Sequence, residues 1–389
     1  LHDVVIVPVS FGRTGDRRKF VNVPWRLYPR ESLWVPPLRM TVHRLLRPEN
    51  PFYRHADAVG FIARVDGQPA GRIAAIVNRR HNEFHGEKTG FFGFFECADN
   101  VEVAAALLDR AAAWLRERGM DRMRGPVSPS TNDECGLLVQ GFEFPPAIMM
   151  PYNPPYYVSL LETYGCRKAK DLHAYRMLRD KGMSERLLRL GRAVERRTKV
   201  VVRPIDLRNV HAELGRVKVV YNAAWERNWG FVPMTDAEFA FAADDLKQSV
   251  GEGCALIAED GGAPVGFALA LLDLNQFLRR IRSGRLLPLG IFTFLRHRRK
   301  IDAIRIITLG VIPSHRRRGI EVLFYNRLFD TKYAWGEMSW VLEDNREMNE
   351  ALDAMGAHVY KTYRLYDCPL TSPSTVEDGG GREAPTSPR

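Results

Sequence analysis

Thr308-Leu309-Gly310-Val311-Ile312-Pro313-Ser314-His315-Arg316-Arg317-Arg318-Gly319-Ile320 reads as an apolar strand, a proline break, a short basic loop holding a glycine, and the start of a helix. Such a loop turns backbone N–H groups and the positive end of a helix toward one spot, which is what a pyrophosphate needs. Arg316, Arg317 and Arg318 add charge at the same place. The competing reading is a basic surface turn.

Around this stretch the second half of the chain reads as a strand at 200–205, helices at 211–227 and 237–246, a strand hairpin over 255–271 turned at Gly261-Gly262, a strand at 305–312, a helix at 320–334, a strand at 337–342, a helix at 345–355 closed by Gly356, and a strand at 358–367. The first half has the same order. A strand at 4–9 precedes helices at 17–27 and 38–46, and strands 61–65 and 70–77 meet at Asp66-Gly67, a pair that supplies the positive φ of a tight hairpin turn. A strand at 90–97, a helix at 101–118 stopped by Gly119, a strand at 120–126, a helix at 155–164 and a strand at 171–178 follow. An order repeated at a period of about 190 residues predicts a duplicated α+β domain, each copy a mixed sheet flanked by helices. The expected division is 1–180, an arginine-rich linking helix at 181–199, and 200–370 with an insertion at 275–300. Residues 371–389, rich in Ser, Pro, Gly and Glu, are expected to be disordered.

The strand, the proline and the Arg-x-x-Gly loop leading into a helix resemble the cofactor motif of the GNAT (N-acetyltransferase) superfamily, matched by 308–311, Arg316 and Gly319. The resemblance implies two tandem GNAT-like domains and acyl-CoA as co-substrate. Leu309, Gly310 and Val311 would pair with pantetheine, and Arg316, Arg317, Arg318, Gly319 and Ile320 would hold the pyrophosphate. Asn345 falls at the family's pantetheine-side asparagine. Two positions depart from the pattern: Glu321 replaces the small residue after the glycine, and Leu352 stands where many members carry the tyrosine that protonates the leaving thiolate. Tyr360 and Tyr363 lie just beyond, and either phenol could supply that proton. For the base that takes a proton from the amine, Glu343 at its strand end is the first candidate and His358 the second. For both, an exposed surface residue is the alternative.

The first half lacks the phosphate loop. Its strand ends Phe94-Phe95-Glu96-Cys97-Ala98-Asp99-Asn100, which cannot cradle a diphosphate, so this half is expected to shape the acceptor pocket. The polar and aromatic loops at 128–136 and 149–157 would turn Asn132, Glu134, Tyr152 and Asn153 toward an acceptor, joined by Asn228 and Trp229 from the second half. The alternative is loops locked by Pro and Asn turn chemistry. His81-Asn82-Glu83-Phe84-His85 matches no common metal spacing, and no metal is expected.

With 389 residues, 45% apolar and 26% charged, the chain suits two globular domains. No run of about 18 uncharged apolar residues occurs and no signal pattern opens the chain, so neither export nor membrane spanning is expected. Five scattered cysteines without a C-x-x-C pair read as reduced cytosolic thiols. The net charge of +11 calls for an acidic partner, and eight Arg or Lys with no Asp or Glu fall between Asn275 and Lys300. That segment also holds the apolar run 286–295, too short to cross a bilayer but able to dip into an anionic surface. Basic and aromatic residues are not interleaved as nucleic-acid stacking needs, so no nucleic acid is expected.

The degenerate first half, the basic insertion and the tyrosine-rich end are similar to bacterial ceramide synthases, which join a fatty acyl group from acyl-CoA to the amine of a sphingoid base. This implies an N-acyltransferase acting on a long-chain amino lipid, cytoplasmic and peripheral on the inner face of the cytoplasmic membrane. Three alternatives stay open: a small-molecule N-acetyltransferase, a tandem aminoacyl transferase using charged tRNA, and a non-catalytic membrane-binding relic of the fold. The oligomeric state is not legible.

Overall fold

The computed structural model describes residues 3–179, 185–226, 228–288 and 290–370. The N-terminal half runs β1 (Val4–Val9), α1 (Thr14–Asn22), α2 (Pro24–Leu27), α3 (Arg39–Leu45), β2 (Ala56–Val65), β3 (Gln68–Asn78), α4 (Arg79–His85), β4 (Thr89–Cys97), α5 (Val101–Arg116), β5 (Arg122–Gly125), β6 (Val127–Ser128), β7 (Glu134–Cys135), β8 (Leu137–Gln140), α6 (Tyr156–Thr163) and β9 (Arg167–Leu178). The C-terminal half runs α7 (Glu185–Arg197), β10 (Val201–Pro204), α8 (Val210–Trp225), α9 (Asp236–Leu246), β11 (Val250–Asp260), β12 (Ala263–Leu272), α10 (Asn275–Leu278), α11 (Gly290–His297), β13 (Ala303–Val311), α12 (Ile320–Phe329), β14 (Trp335–Leu342), α13 (Arg346–Ala354) and β15 (His358–Cys368). The expected tail at 371–389 and the first residues of the expected linking helix, 181–184, lie outside the described residues.

Local chemistry accounts for these elements. β2 and β3 turn at Asp66 and Gly67, with φ of 50° and 74°, the double positive φ of a two-residue hairpin. α5 buries Val103, Leu107, Leu108, Ala111 and Leu115 at helical spacing and starts at Asn100, whose side chain accepts from Val103 N at 2.9 Å. α9 opens with a capping box between Thr235 and Glu238.

The order of elements repeats, yet the halves do not form separate sheets. One continuous sheet has the order β1-β2-β3-β4-β5-β15-β9-β14-β13-β12-β11-β10, with β8 also paired to β15. Among the described residues β9, the last strand of the first half, pairs only with β14 and β15 of the second. Among the same residues β15, the last strand of the second half, pairs only with β5, β8 and β9 of the first. Each half therefore completes the other. Arg364 donates to both carboxylate oxygens of Asp171 at 2.7 and 3.0 Å across the β9–β15 ladder, and Arg124 does the same to Asp367 at 2.7 and 2.9 Å.

The exchange also corrects the reading of five free thiols. Cys166, just before β9, is bonded to Cys368 at the end of β15, a pair 202 residues apart that only the antiparallel ladder brings together. Cys97, Cys135 and Cys254 are free and buried.

On one face of the sheet α5 and α6 cover β3, β4 and β15, and α12 and α13 cover β12, β13 and β14. On the other face α1–α3 and α8–α9 approach each other. Arg44 of α3 pairs with Asp244 at 3.1 Å and Asp245 at 2.6 Å, and His55 lies 2.9 Å from Glu238. The functional groups gather on this second face.

Candidate functional site

β13 and β14 run parallel from Ala303 opposite Trp335 to Ile306 opposite Met338, and there their ladder ends. β13 continues along β12 to Val311 while β14 continues along β9 to Leu342, so the two strands part in a V. A bulge at Ile307, where the β12 register slips between Leu269 and Ala270, starts the divergence. On the parting strands the Thr308 hydroxyl and the Trp340 indole nitrogen are buried without a hydrogen-bond partner among the described residues. Beyond β13 the chain enters α12 through Gly319, whose φ of 79° is left-handed and leaves the first N–H groups of a ten-residue helix facing the loop.

The first half opens the same V and then fills it. β4 and β5 run parallel from Thr89 opposite Arg122 to Phe91 opposite Arg124 and part. There Phe94 N donates to Ser128 Oγ at 2.9 Å, and a Cβ on Gly93 would lie 1.5 Å from Val127 O. β6 thus occupies the place a ligand would take.

Between the halves lies a cavity of about 500 Å³, within the usual range of small-molecule sites. Trp25, Tyr28, Leu38 and Leu45 from the α1–α3 region, Ile148 and Met149 from a loop, and Phe277, Leu286 and Phe294 from the 275–300 insertion wall it with apolar surface. Among them stand Arg72, Glu96, Asp133, Glu134 and Asp245. Arg72 and Glu96 lie 3.5 Å apart, Tyr157 donates to Glu96 at 3.0 Å, Ser130 donates to Asp133 at 2.6 Å, and Asp245 pairs with Arg44. The Glu134 carboxylate alone of these has no hydrogen bond or ion pair among the described residues. Burial pushes the Asp133 carboxyl up to about 7, whereas Glu134 is exposed.

A buried polar network fixes the loop that separates this cavity from the V. Arg305, 2% exposed, donates to Ile148 O at 2.9 Å, Met149 O at 3.1 Å and Ser339 Oγ at 2.8 Å. Ser339 in turn donates to Glu337, fully buried, at 2.6 Å. Lys361 donates to Pro145 O at 2.6 Å, Asn275 to Pro146 O and Ala147 O at 2.9 and 2.8 Å, and Asp273 accepts from Ile148 N at 2.9 Å. The Arg305 and Glu337 charges are buried but paired and bonded, which is what makes them tolerable in the interior. Arg305 sits one residue before the point where β13 and β14 part.

A protein from Escherichia coli (strain K12), YghO, is 36% identical over 370 residues, covering 92% of this chain and 94% of its own length. A protein of Caulobacter vibrioides named bacterial ceramide synthase is 32% identical over 384 residues, covering 94% and 97%. The chain belongs to their family. In structure it is similar to a tandem GNAT protein from the clavulanic acid biosynthesis pathway, with a TM-score of 0.54, 12% identity, and 95% of this chain and 99% of that one covered. No protein-family model matches. The fold is thus the tandem GNAT fold.

In this tandem GNAT fold the V of the second half is open on its strand side, where Thr308 and Trp340 hold polar atoms unpaired among the described residues. On the phosphate side Arg318 is exposed with no hydrogen bond or ion pair among the described residues. Arg316 turns inward to donate to Ala224 O at 2.7 Å, and Arg317 pairs with Glu347 at 2.6 Å. Val194 of α7 packs where a Cβ on Gly319 would be 2.6 Å away, and Trp225 covers Gly310. Burial raises the pKa of Glu321, which favours its neutral form and lessens repulsion of a diphosphate. Leu309, Val311 and Ile320 lie on the strand and helix start as expected, but the Asn345 side chain is engaged in capping α13, accepting from Met348 N at 3.2 Å.

Of the catalytic candidates, Tyr360 and Tyr363 reach the centre. The Tyr360 hydroxyl is bonded to Glu337, and burial followed by the Glu337 charge drives its pKa up. Tyr363 is fully buried, yet its hydroxyl has no hydrogen-bond partner among the described residues. Glu343 instead forms a surface bridge with Lys168 at 2.5 Å and accepts from Asp171 N at 3.1 Å; its partial burial pushes the pKa up, but these bonds hold it below the usual range. His358 is exposed at the start of β15. Asn132 accepts from Tyr221 at 3.1 Å, Tyr152, Asn153 and Glu134 line the cavity, and the Asn153 side chain accepts from Leu138 N of β8 at 2.7 Å. Asn228 belongs to the turn after α8, and Trp229 lies between Arg124 and Lys170 at 5.0 and 5.7 Å. His81 and His85 face each other at 4.5 Å, and burial pushes His81 down to about 4. Sequence reasoning missed Arg305 and Glu337, whose only signal is one charge within each apolar strand, and the cavity walls from α1–α3.

Proposed function

We propose that this protein transfers an acyl group from acyl-CoA to the primary amine of a long-chain amino lipid, a sphingoid base being the first candidate. The cavity carries the proposal, because its long apolar walls beside carboxylates match an alkyl chain with an ammonium head. The second half holds the thioester along β13 and at the α12 start, and the first half, its own V filled by β6, shapes the acceptor site. The ceramide synthase name of the Caulobacter relative supports the same substrate class. Tyr363 is the neutral hydroxyl best placed to hand the leaving sulfur a proton, and Asn132 and Tyr152 border the acceptor side.

Lipid access has a structural counterpart in α11. Ile291 and Phe294 of this helix line the cavity, while Phe292 and Leu295 on its outer side, and Leu287 before it, are 68%, 64% and 71% exposed. Arg279, Arg280, Arg285, Arg296, Arg298, Arg299 and Lys300 are exposed around them. Arg282 points elsewhere, donating to Trp34 O and Arg30 O at 2.7 Å and stapling the insertion to the first half. The proposed dock is an anionic membrane surface, each cation contributing roughly 1 kcal/mol there. No helix among the described residues is long and apolar enough to cross a membrane.

The test is to mix purified protein with acyl-CoA of several chain lengths and a sphingoid base in detergent, following free thiol and amide product by mass spectrometry. Thiol release matched by amide supports the proposal, with the long-chain amine favoured over short polyamines. Absence of amide with every chain length from acetyl to palmitoyl would overturn it.

A further inference from the structure

The β6–β7 hairpin fills the V of the first half and, by the same fold, places Glu134 on the wall of the cavity between the halves. Glu134 pairs in register with Ser128, two residues before Gly136, and a Cβ on Gly136 would lie 3.0 Å from Tyr363 Cβ. Its carboxylate lines the cavity with no partner among the described residues, and the neighbouring Tyr363 hydroxyl, fully buried, also lacks one. Asp133 differs: its carboxylate is taken up by Ser130 at 2.6 Å within the loop. An unpaired carboxylate and an unpaired hydroxyl in adjoining space, with an apolar cavity on one side and the parting of β13 and β14 on the other, describe a place for a cationic head about to react.

We propose that Glu134 takes the proton from the substrate's ammonium group, so that the first half supplies the base and the second half the acyl donor. This rests on the amine acyltransferase reading above. One ammonium proton passes to the Glu134 carboxylate. The freed nitrogen lone pair forms the C–N bond at the thioester carbonyl, the C–S bond breaks, and its electron pair leaves with sulfur. Sulfur takes its proton from Tyr363, which regains one from the nitrogen, leaving amide and free thiol. Glu134 then loses its proton to water.

The groups facing Glu134 are Arg305 from β13, Arg72 from β3, Tyr363 from β15, and Asp133 and Cys135 beside it on the hairpin. Glu134 itself is exposed, so a proton taken there can pass on to water.

The test compares wild type, Glu134→Gln and Glu134→Asp with a sphingoid base and palmitoyl-CoA at about pH 7.5 and about pH 10, the second near the pKa of a free alkyl amine. Expected for Glu134→Gln is a fall in kcat of about 10²–10⁴-fold at the lower pH, with KM for acyl-CoA within about threefold. That deficit should shrink at least about tenfold at the higher pH, where free amine needs no base. Glu134→Asp should fall between. A Glu134→Gln deficit equal at both pH values, or none at all, would overturn the assignment. If Glu134→Gln does not fold, the acid limb of the Glu134→Asp profile decides: displaced supports the base, unmoved refutes it. A wild type that forms no amide refutes the acyltransferase reading itself, and is told apart by that result alone.

Discussion

Gly319 and Asp273 show how single positions are held. At Gly319 a left-handed φ and the nearness of Val194 both exclude a side chain, so Gly319→Ala should lower stability by about 1–2 kcal/mol, read as the shift of the urea midpoint. Gly319→Glu, an obvious probe of acyl-CoA binding from sequence, would therefore confound binding with packing. Asp273 has its carboxyl pushed up to about 7 by burial, then by Glu337, against an ordinary value of 3.8. Between about pH 4 and about pH 7 the folded state keeps this proton while the unfolded chain loses it, so this group makes stability fall as pH rises through that window, with no further change above it. Asp273→Asn retains an acceptor for Ile148 N, and its stability relative to wild type should rise from pH 4 to 7 and then level off. A difference that stays flat with pH would contradict the buried neutral acid.

The Arg305–Glu337 pair and α11 were only partly legible beforehand. A lone arginine in Ala303-Ile304-Arg305-Ile306 and a lone glutamate in Trp335-Gly336-Glu337-Met338 look like strand faces turned to solvent, yet their parallel register places them side by side at a 3.6 Å ion pair inside the protein. Removing one partner leaves the other charge buried, so Glu337→Leu should cost about 3–5 kcal/mol by denaturant titration, and Arg305→Met with Glu337→Leu should recover part of it. For α11 the apolar run and basic flanks were readable, whereas its two-sided use was not: one side closes the cavity and the other is bare. Replacing Phe292 and Leu295 together by Ser should weaken binding to anionic vesicles at least about tenfold while leaving the urea midpoint nearly unchanged, since both side chains are exposed. Unaltered vesicle binding would remove α11 as the docking element.

The exchange of β9 and β15 makes the molecule one cooperative body. Without the second half β9 has no partner strand, and without the first half β15 has none. Fragments 3–179 and 185–370 produced separately should therefore lack a cooperative urea transition, and produced together should assemble and regain one; a cooperative transition in either fragment alone would show that the exchange is dispensable. The same exchange divides labour across the chain, since β6 closes one V while Ile148 and Met149, held by Arg305, shape the approach to the other.

The helix caps, the Asp66-Gly67 turn, the two-fold order of elements and the basic glycine loop before α12 were all readable in the chain, because each rests on residues within a few positions of one another. The pairing of β9 with β15 was not, since an order of elements says which strands exist and leaves open which half they complete. The Cys166–Cys368 bond follows from that pairing, and the cavity from the meeting of α1–α3, the 146–153 loop and the insertion. A place on the cavity wall turns an ordinary glutamate into a candidate base, and burial with partnership turns an ordinary arginine into a strut; both depend on neighbours far away in the sequence.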